Sequence, residues 1–279
     1  MKIIIDIPSK HPLSGGVQRM LEMQSVLKEH CECELHLPND AFPELFDYII
    51  TYSDNPRIDK LCQQAAYRQA KVIVYQLSYG MVLDRERKVI DHPDTLICCS
   101  TYHIAHKITS DPHVWDYENT FRNQRKFDVA LMIHRATDKK FKEAFDFCKS
   151  QDMKIVLFGA RNTGFNLDGA KEVFFNADVD QVRWVFSNTK KYMSLSTTEG
   201  LNRPGIEAML CGCKPYIVDG CEIYQDGKNC KFITEPKEIY DNFKIMEYND
   251  IKRSLKKHTW ENVLKKLGKI IGVKFEKRN

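Results

Sequence analysis

The feature that most constrains this chain is an alternation of short runs rich in β-branched residues with stretches whose apolar residues recur at helical spacing. Strands are predicted at 2–7, 33–37, 46–51, 71–75 and 95–99, with helices at 17–30, 58–70, 81–90 and 102–108. Strands separated by helices of this size and joined by short loops form a parallel sheet with crossover helices.

The pattern breaks once. Residues 111–126 are polar, lack clean periodicity and begin with Asp-Pro, which marks a linker. Alternation then restarts, with strands at 128–133, 154–158, 173–175, 191–194 and 214–218 and helices at 140–150, 179–188 and 204–210, followed by two terminal helices. At 279 residues the chain can hold one large α/β domain or two of roughly 120–150 residues. The restart favours two doubly wound, Rossmann-like units at 1–115 and 127–250, with a basic helical segment at 251–279. A cleft between them, lined by carboxyl ends of strands, is the expected ligand site.

Composition narrows the function. Hydrophobic residues at 43% and charged residues at 29% exclude a disordered chain. Apolar runs such as 3–5, 48–50 and 72–75 are strand-length, far short of the ~20 residues of a membrane span. The N-terminal residues lack a signal-peptide pattern, so the expected location is the cytoplasm, or the host cytoplasm for a viral protein. The net charge of +4 is mild, but ten basic and two acidic residues fall between Lys252 and the C-terminus. That segment suits an anionic surface, lipid headgroups or DNA, or is simply a solvated helix face.

Ten cysteines without a secretory signal read as reduced core thiols. Cys211, Cys213, Cys221 and Cys230 lack the C-x2-C spacing of a zinc knuckle, and His103 and His106 read as helix-surface residues. No metal ligand set is expected.

The segment from Ser194 to Pro215 carries the chemistry. A strand ends in a Ser/Thr-rich turn, passes Gly200, and a helix begins with Pro204 near its first position, where a missing N–H is harmless. Free N–H groups near Leu201 and Asn202, with the helix dipole, make a phosphate site. Glu207, about one turn in, can accept from vicinal hydroxyls of a ribose, and Glu199 would reach a group beyond the phosphates. The plain alternative is a capped helix with two surface glutamates.

Glu199, Gly200, Pro204, Glu207, Ala208, Met209 and Gly212 together resemble the E-x7-E signature of the family 4 retaining glycosyltransferases of GT-B fold. Three further stretches agree in order. Ser14, Gly15 and Gly16 resemble the family's N-terminal glycine loop. The run from His134 to Phe141 is similar to G-R-x-x-x-x-K-G, with Arg135 and Lys140 in the phosphate-contacting places; His134 and Phe141 replace its glycines, and Lys139 is an alternative working lysine. The run from His258 to Asn262 resembles the start of the last helix, which in this family crosses back onto the N-terminal domain.

The resemblance implies transfer of a sugar from a nucleoside diphosphate sugar, a UDP-sugar first, to a hydroxyl acceptor, with retention and without cofactor or metal. Arg135, Lys140 and the helix start at Gly200, Leu201 and Asn202 would stabilise the departing diphosphate. Glu199 would orient sugar hydroxyls, Glu207 would hold the ribose, and Gly15 and Gly16 would approach the donor. Many relatives place a histidine in the N-terminal domain against the sugar, and here Gln76 stands in that region.

The acceptor is a glycan, a glycolipid or a modified base in DNA. Two short stretches, 71–76 and 141–147, are faintly similar to phage hydroxymethylcytosine α-glucosyltransferases. Arg57, Arg85, Arg87, Lys88, Arg122, Arg125 and Lys126 supply cations that would track a phosphate backbone. The rival readings are a non-catalytic nucleotide-sugar-binding module and a GT-B-like epimerase.

Overall fold

The computed structural model describes residues 1–8, 15–52, 55–75, 96–99, 125–133, 139–159, 164–196, 202–218 and 223–277. Contacts divide the chain into two units, Met1–Ser110 with Lys257–Asn279, and Asp111–Lys256. The predicted helices at 81–90 and 102–108 and most of the 111–126 linker lie outside the described residues.

The first unit holds five parallel strands, β1 (Lys2–Asp6), β2 (Glu32–His36), β3 (Tyr48–Tyr52), β4 (Lys71–Tyr75) and β5 (Leu96–Cys99), in the order β2-β1-β3-β4-β5. Crossovers α1 (Gly15–Lys28) and α2 (Ile58–Tyr67) join β1 to β2 and β3 to β4. Side chains alternate across the sheet. Ile3, Ile5, Ile50 and Ile73 meet Val17, Met20, Met23 and Leu27 of α1. Ile4, Ile49, Val72 and Val74 meet Ile58, Leu61 and Ala65 of α2.

The second unit is a six-stranded parallel sheet of β6 (Phe127–Ile133), β7 (Ile155–Gly159), β8 (Ala170–Phe175), β9 (Thr189–Ser194), β10 (Lys214–Ile217) and β11 (Lys231–Phe232), in the order β11-β10-β9-β6-β7-β8. Three helices cross over, α3 (Lys139–Ser150), α4 (Val179–Ser187) and α5 (Arg203–Leu210). One face of the sheet packs Leu131, Ile155, Leu157 and Met193 on Phe141, Ala144, Phe145 and Cys148 of α3. The other stacks Phe158 on Phe186 of α4 at 5.1 Å and Phe186 on Tyr192 at 5.4 Å, both edge to face.

Two further helices close the chain. The amphipathic α6 (Tyr248–Leu255) turns Ile251 and Leu255 inward. The last, α7 (Trp260–Ile271), is capped by Thr259 and lays Trp260, Val263, Leu264 and Leu267 into the α1 face of the first unit's core.

The architecture is the expected pair of doubly wound parallel sheets. Its departures are small. Gly15 and Gly16 open α1 rather than forming a loop before it, because the buried Val17, Met20, Met23 and Leu27 anchor a helix that glycine tolerates in its first turn. β11 went unpredicted, since two residues carry no periodicity.

Candidate functional site

Each sheet reverses its strand order once, and open α/β sheets bind ligands outside the carboxyl ends of the strands at such a reversal. In the second unit it lies between β6 and β9, paired from Phe127 opposite Thr189 to Leu131 opposite Met193. The chain leaves β6 at Ile133 and enters α3 at Lys139, and it leaves β9 at Ser194 and enters α5 at Arg203. Both helices therefore start at the same edge. A narrow crevice there is lined by Met132, Lys140, Phe141, Ser194, Leu195 and Ser196.

Local sequence builds α5. Asn202 is its N-cap, with Oδ1 accepting from the Gly205 N–H at 3.1 Å, and Pro204 falls in the first turn, where its missing donor costs nothing. The Tyr224 hydroxyl donates to the Asn202 carbonyl, and the Tyr192 hydroxyl lies 3.4 Å from Asn202 Oδ1. Gly205 is required by this arrangement, because a Cβ there would stand 2.6 Å from the Tyr224 oxygen. Every residue from Pro204 to Leu210 is buried.

That burial corrects the picture of an open carboxylate at Glu207, and equally the alternative of a surface one. Glu207 is 2% exposed. Arg203, one turn earlier on the same helix face, donates from Nε to its Oε1 at 2.7 Å. Asn202 likewise spends its side chain on the cap.

Lys140 stands in the first turn of α3, exposed, with Nζ 3.1 Å from Glu143 Oε2. A surface pair of this kind is weak, about 0–1 kcal/mol. The structure thus puts Lys140 in a crevice with Ser194 and Ser196 at the edge from which both α3 and α5 start. Arg135, Glu199, Gly200, Leu201, Gln76, His103, His106 and Cys221 lie outside the described residues, as does the side chain of Lys139. Arg203 is the site residue that sequence reasoning missed; its signal was the i, i+4 spacing to Glu207.

Two cations assigned to a phosphate-tracking surface serve the interior instead. Arg57 pairs with Asp6, which is fully buried. Arg125 donates to the carbonyls of Phe186, Thr189 and Cys211, tying the entry of β6 to the ends of α4 and α5. Both are long side chains that reach backbone or carboxylate oxygens inside the unit, and burial makes those partners stronger than water. Lys126 lies over the Trp184 ring at 5.2 Å. Arg85, Arg87, Lys88 and Arg122 lie outside the described residues.

Cys211, Cys213 and Cys230 are buried free thiols. Burial pushes Cys211 up to about 12 and raises Cys213 further, so both stay protonated and inert at neutral pH. Among the described residues no three His, Cys, Asp or Glu side chains group as a metal site. Asp178 and Asp180 have Asp-x-Asp spacing, but Asp178 caps α4 through the Gln181 N–H and Asp180 pairs with Arg183 at 3.6 Å. Among the described residues no helix is long and apolar enough to cross a membrane.

No protein-family model matches the chain, and no curated protein matches it by sequence. Solved structures do match. The chain is similar to sucrose-phosphate synthase from Thermosynechococcus elongatus, with a TM-score of 0.56 and 9% identity over 97% of this chain and 98% of that one. It is similar to spinosyn forosaminyltransferase SpnP, with a TM-score of 0.51 and 9% identity over 98% and 99%. A third match is the pneumococcal O-GlcNAc transferase GtfA in complex with UDP and GlcNAc, with a TM-score of 0.51 and 13% identity. It covers 81% of this chain, which spans 56% of GtfA and 55% of the matched chain in the GtfA/B complex. These likenesses, with two doubly wound parallel sheets, establish the fold. It is GT-B.

Proposed function

We propose that the chain is a retaining, metal-independent glycosyltransferase that moves a sugar from a nucleoside diphosphate sugar to a hydroxyl acceptor. The observation that carries this reading is the β6/β9 reversal, where α3 and α5 both start from the carboxyl edge of the sheet and Lys140 lines a crevice with Ser194 and Ser196. The reading is supported by the GT-B fold and by the E-x7-E register of Glu199 and Glu207. A UDP-sugar is the first donor to test, since GtfA was solved with UDP.

In this reading the bond between the anomeric carbon and the diphosphate oxygen breaks, and the electron pair leaves with the diphosphate. Its growing charge is met by Lys140 and Arg135 and by the N–H groups at Gly200, Leu201 and the start of α5. Charged hydrogen bonds of this kind are worth about 1.5–3 kcal/mol each. Glu207 accepts from the ribose hydroxyls while keeping its bond to Arg203, and Glu199 orients the sugar. Gly15, Gly16 and Gln76 of the first unit serve donor and acceptor. The acceptor hydroxyl attacks from the face the leaving group departs and gives its proton to a phosphate oxygen of the leaving diphosphate, which keeps the anomeric configuration.

A glycan or glycolipid is the favoured acceptor. A modified base in DNA has less support, because Arg57 and Arg125 are committed to internal partners.

Calorimetric titration with UDP tests the site. Wild type should bind, and Glu207→Ala should weaken binding tenfold or more; near-equal affinities would remove the ribose role. Turnover of a UDP-sugar should survive a chelator, and NMR of the product should show the donor's anomeric configuration. Failure of any nucleoside diphosphate to bind would sink the assignment.

A further inference from the structure

The amino end of the second sheet, away from the crevice, holds a pair of charges that the reaction does not use. β9 and β10 are aligned with Lys191 directly opposite Lys214. Met193 and Tyr216, two residues further along each strand, share one core cluster, so both lysines stand on that same face. Neighbouring strands lie about 4.8 Å apart, which sets the two lysine stems side by side. Both residues are half-buried. Their surroundings are neutral. Lys191 Nζ donates to the Ile239 carbonyl at 2.7 Å and lies 5.4 Å and 5.8 Å from the centres of the Tyr216 and Tyr240 rings. Lys214 Nζ lies 5.6 Å from the centre of the Phe243 ring. Asp128, the carboxylate that acts on Lys191, is bonded to the Lys190 ammonium at 2.7 Å. The Tyr216 hydroxyl donates to the Asp241 carbonyl at 2.9 Å, and burial raises it to about 12, so it stays neutral.

We propose that Lys191 and Lys214 form an oxyanion site, which takes a phosphate group between the two ammonium ions beside the Tyr240 ring. The site stands apart from the glycosyltransferase reading and does not depend on it. Three observations point this way. The first is a missing counter-charge. Charges drawn out of water are ordinarily paired, and like charges facing each other across two strands are destabilising. Here such a pair is kept, and among the described residues no carboxylate is bonded to either member. The second is the state of Lys191, which burial and the neighbouring Lys214 charge hold below its ordinary value; an anion between the two would offset that repulsion. The third is donor capacity. An ammonium carries three N–H donors, of which Lys191 gives one to the Ile239 carbonyl, while Lys214 gives none to a described oxygen. A phosphate dianion matches two lysines in charge and has oxygens to meet both, whereas a single carboxylate leaves one positive charge over.

Thermal unfolding in inorganic phosphate at neutral pH, against sodium chloride of equal ionic strength, tests the site. The wild-type melting temperature should rise saturably with phosphate, and Lys214→Gln should raise the half-saturating concentration about tenfold or more. Lys214→Gln should fold, because it removes a repulsion; if it does not, Lys191→Gln carries the same comparison. Lys140→Gln, at the crevice, should keep the saturable rise. Phenyl phosphate in place of the inorganic ion separates the two sources of such a group. Half-saturation below that of inorganic phosphate assigns the site to a phosphorylated molecule lying on Tyr240, an equal or higher value assigns it to the free ion, and either one weakened by Lys214→Gln supports the proposal. An unsaturating rise of the same slope in every protein would be a general salt effect and overturns it. So does a saturable rise that Lys140→Gln abolishes and Lys214→Gln leaves intact, which would put the phosphate in the crevice. Whether the chain binds a nucleoside diphosphate bears on the glycosyltransferase reading alone.

Discussion

The two sheets reverse strand order by the same logic and treat the reversal in opposite ways. In the first unit the point lies between β1 and β3, and the polar groups gathered there are sealed inward. Asp6 is fully buried and receives His36 Nδ1 at 2.6 Å, Asn55 Nδ2 at 2.6 Å and the Arg57 guanidinium, while its carbonyl takes the Thr51 hydroxyl at 2.9 Å. His36 turns its other nitrogen to the Asp40 carbonyl at 3.1 Å and stacks on Phe42. In the second unit the equivalent groups, Lys140 and Arg203, each hold one carboxylate and keep part of their surface open. Topology provides the reversal in both. How deeply the polar groups at its edge are buried decides whether it serves stability or faces outward, where a ligand can reach it.

The comparison can be broken most severely at Asp6. Asp6→Ala strands His36 and Arg57 without their shared carboxylate, and removing one partner of a buried ion pair costs about 3–5 kcal/mol. Thermal or urea unfolding should show a loss of that size, with UDP affinity unchanged in the protein that remains folded. A large loss of UDP affinity without a loss of stability would mean that the first unit's network is not the stability device described.

Gly205→Ala tests the other edge. A methyl group 2.6 Å from the Tyr224 oxygen forces that buried ring to move, a cost of about 1–3 kcal/mol, and disturbs the start of α5. The melting temperature should fall and UDP binding with it, in contrast to the Asp6 variant. Asn202→Ala sharpens the point more gently. Loss of the cap costs about 1 kcal/mol and loosens the same helix start. Stability that matches wild type within a few tenths would show the cap to be idle.

The smallest effect is a pH dependence at Asp128, on the amino side of β6 and remote from the crevice. Burial works against its charge, but the Lys190 ammonium at 2.7 Å and the Lys154 N–H at 2.9 Å outweigh it and hold the carboxyl below its ordinary value. A depressed folded value means that its contribution is complete above the ordinary carboxylate range and is lost as pH falls through the lowered value. Acid unfolding curves of Asp128→Asn should therefore be shallower in that range than those of wild type, with neutral-pH UDP binding the same.

Much of this organisation was legible before any coordinates. Continuous β-branched runs such as 3–5 and 72–75 have little choice but a buried strand, and their alternation with amphipathic helices permits only a parallel, doubly wound sheet. The start of α5 was legible too, because Pro204 in the first turn and a cap at Asn202 act through local geometry. The state of Glu207 was not. Its distance from Arg203 along the chain is fixed, but its burial, shared with every residue from Pro204 to Leu210, is set by how the fold packs α5. Arg57 and Arg125 misled for the same reason, since a cation's sequence neighbours do not reveal which carbonyls or carboxylates a fold will bring to it.

The sequence alone determined the secondary elements, the two-sheet plan and the caps, because backbone propensity and hydrophobic period act over a few residues. Only the tertiary structure decided the strand orders, the edge from which α3 and α5 both start, and which charges are spent internally. Those depend on pairings between residues tens of positions apart, where burial turns a modest attraction into an obligatory partner.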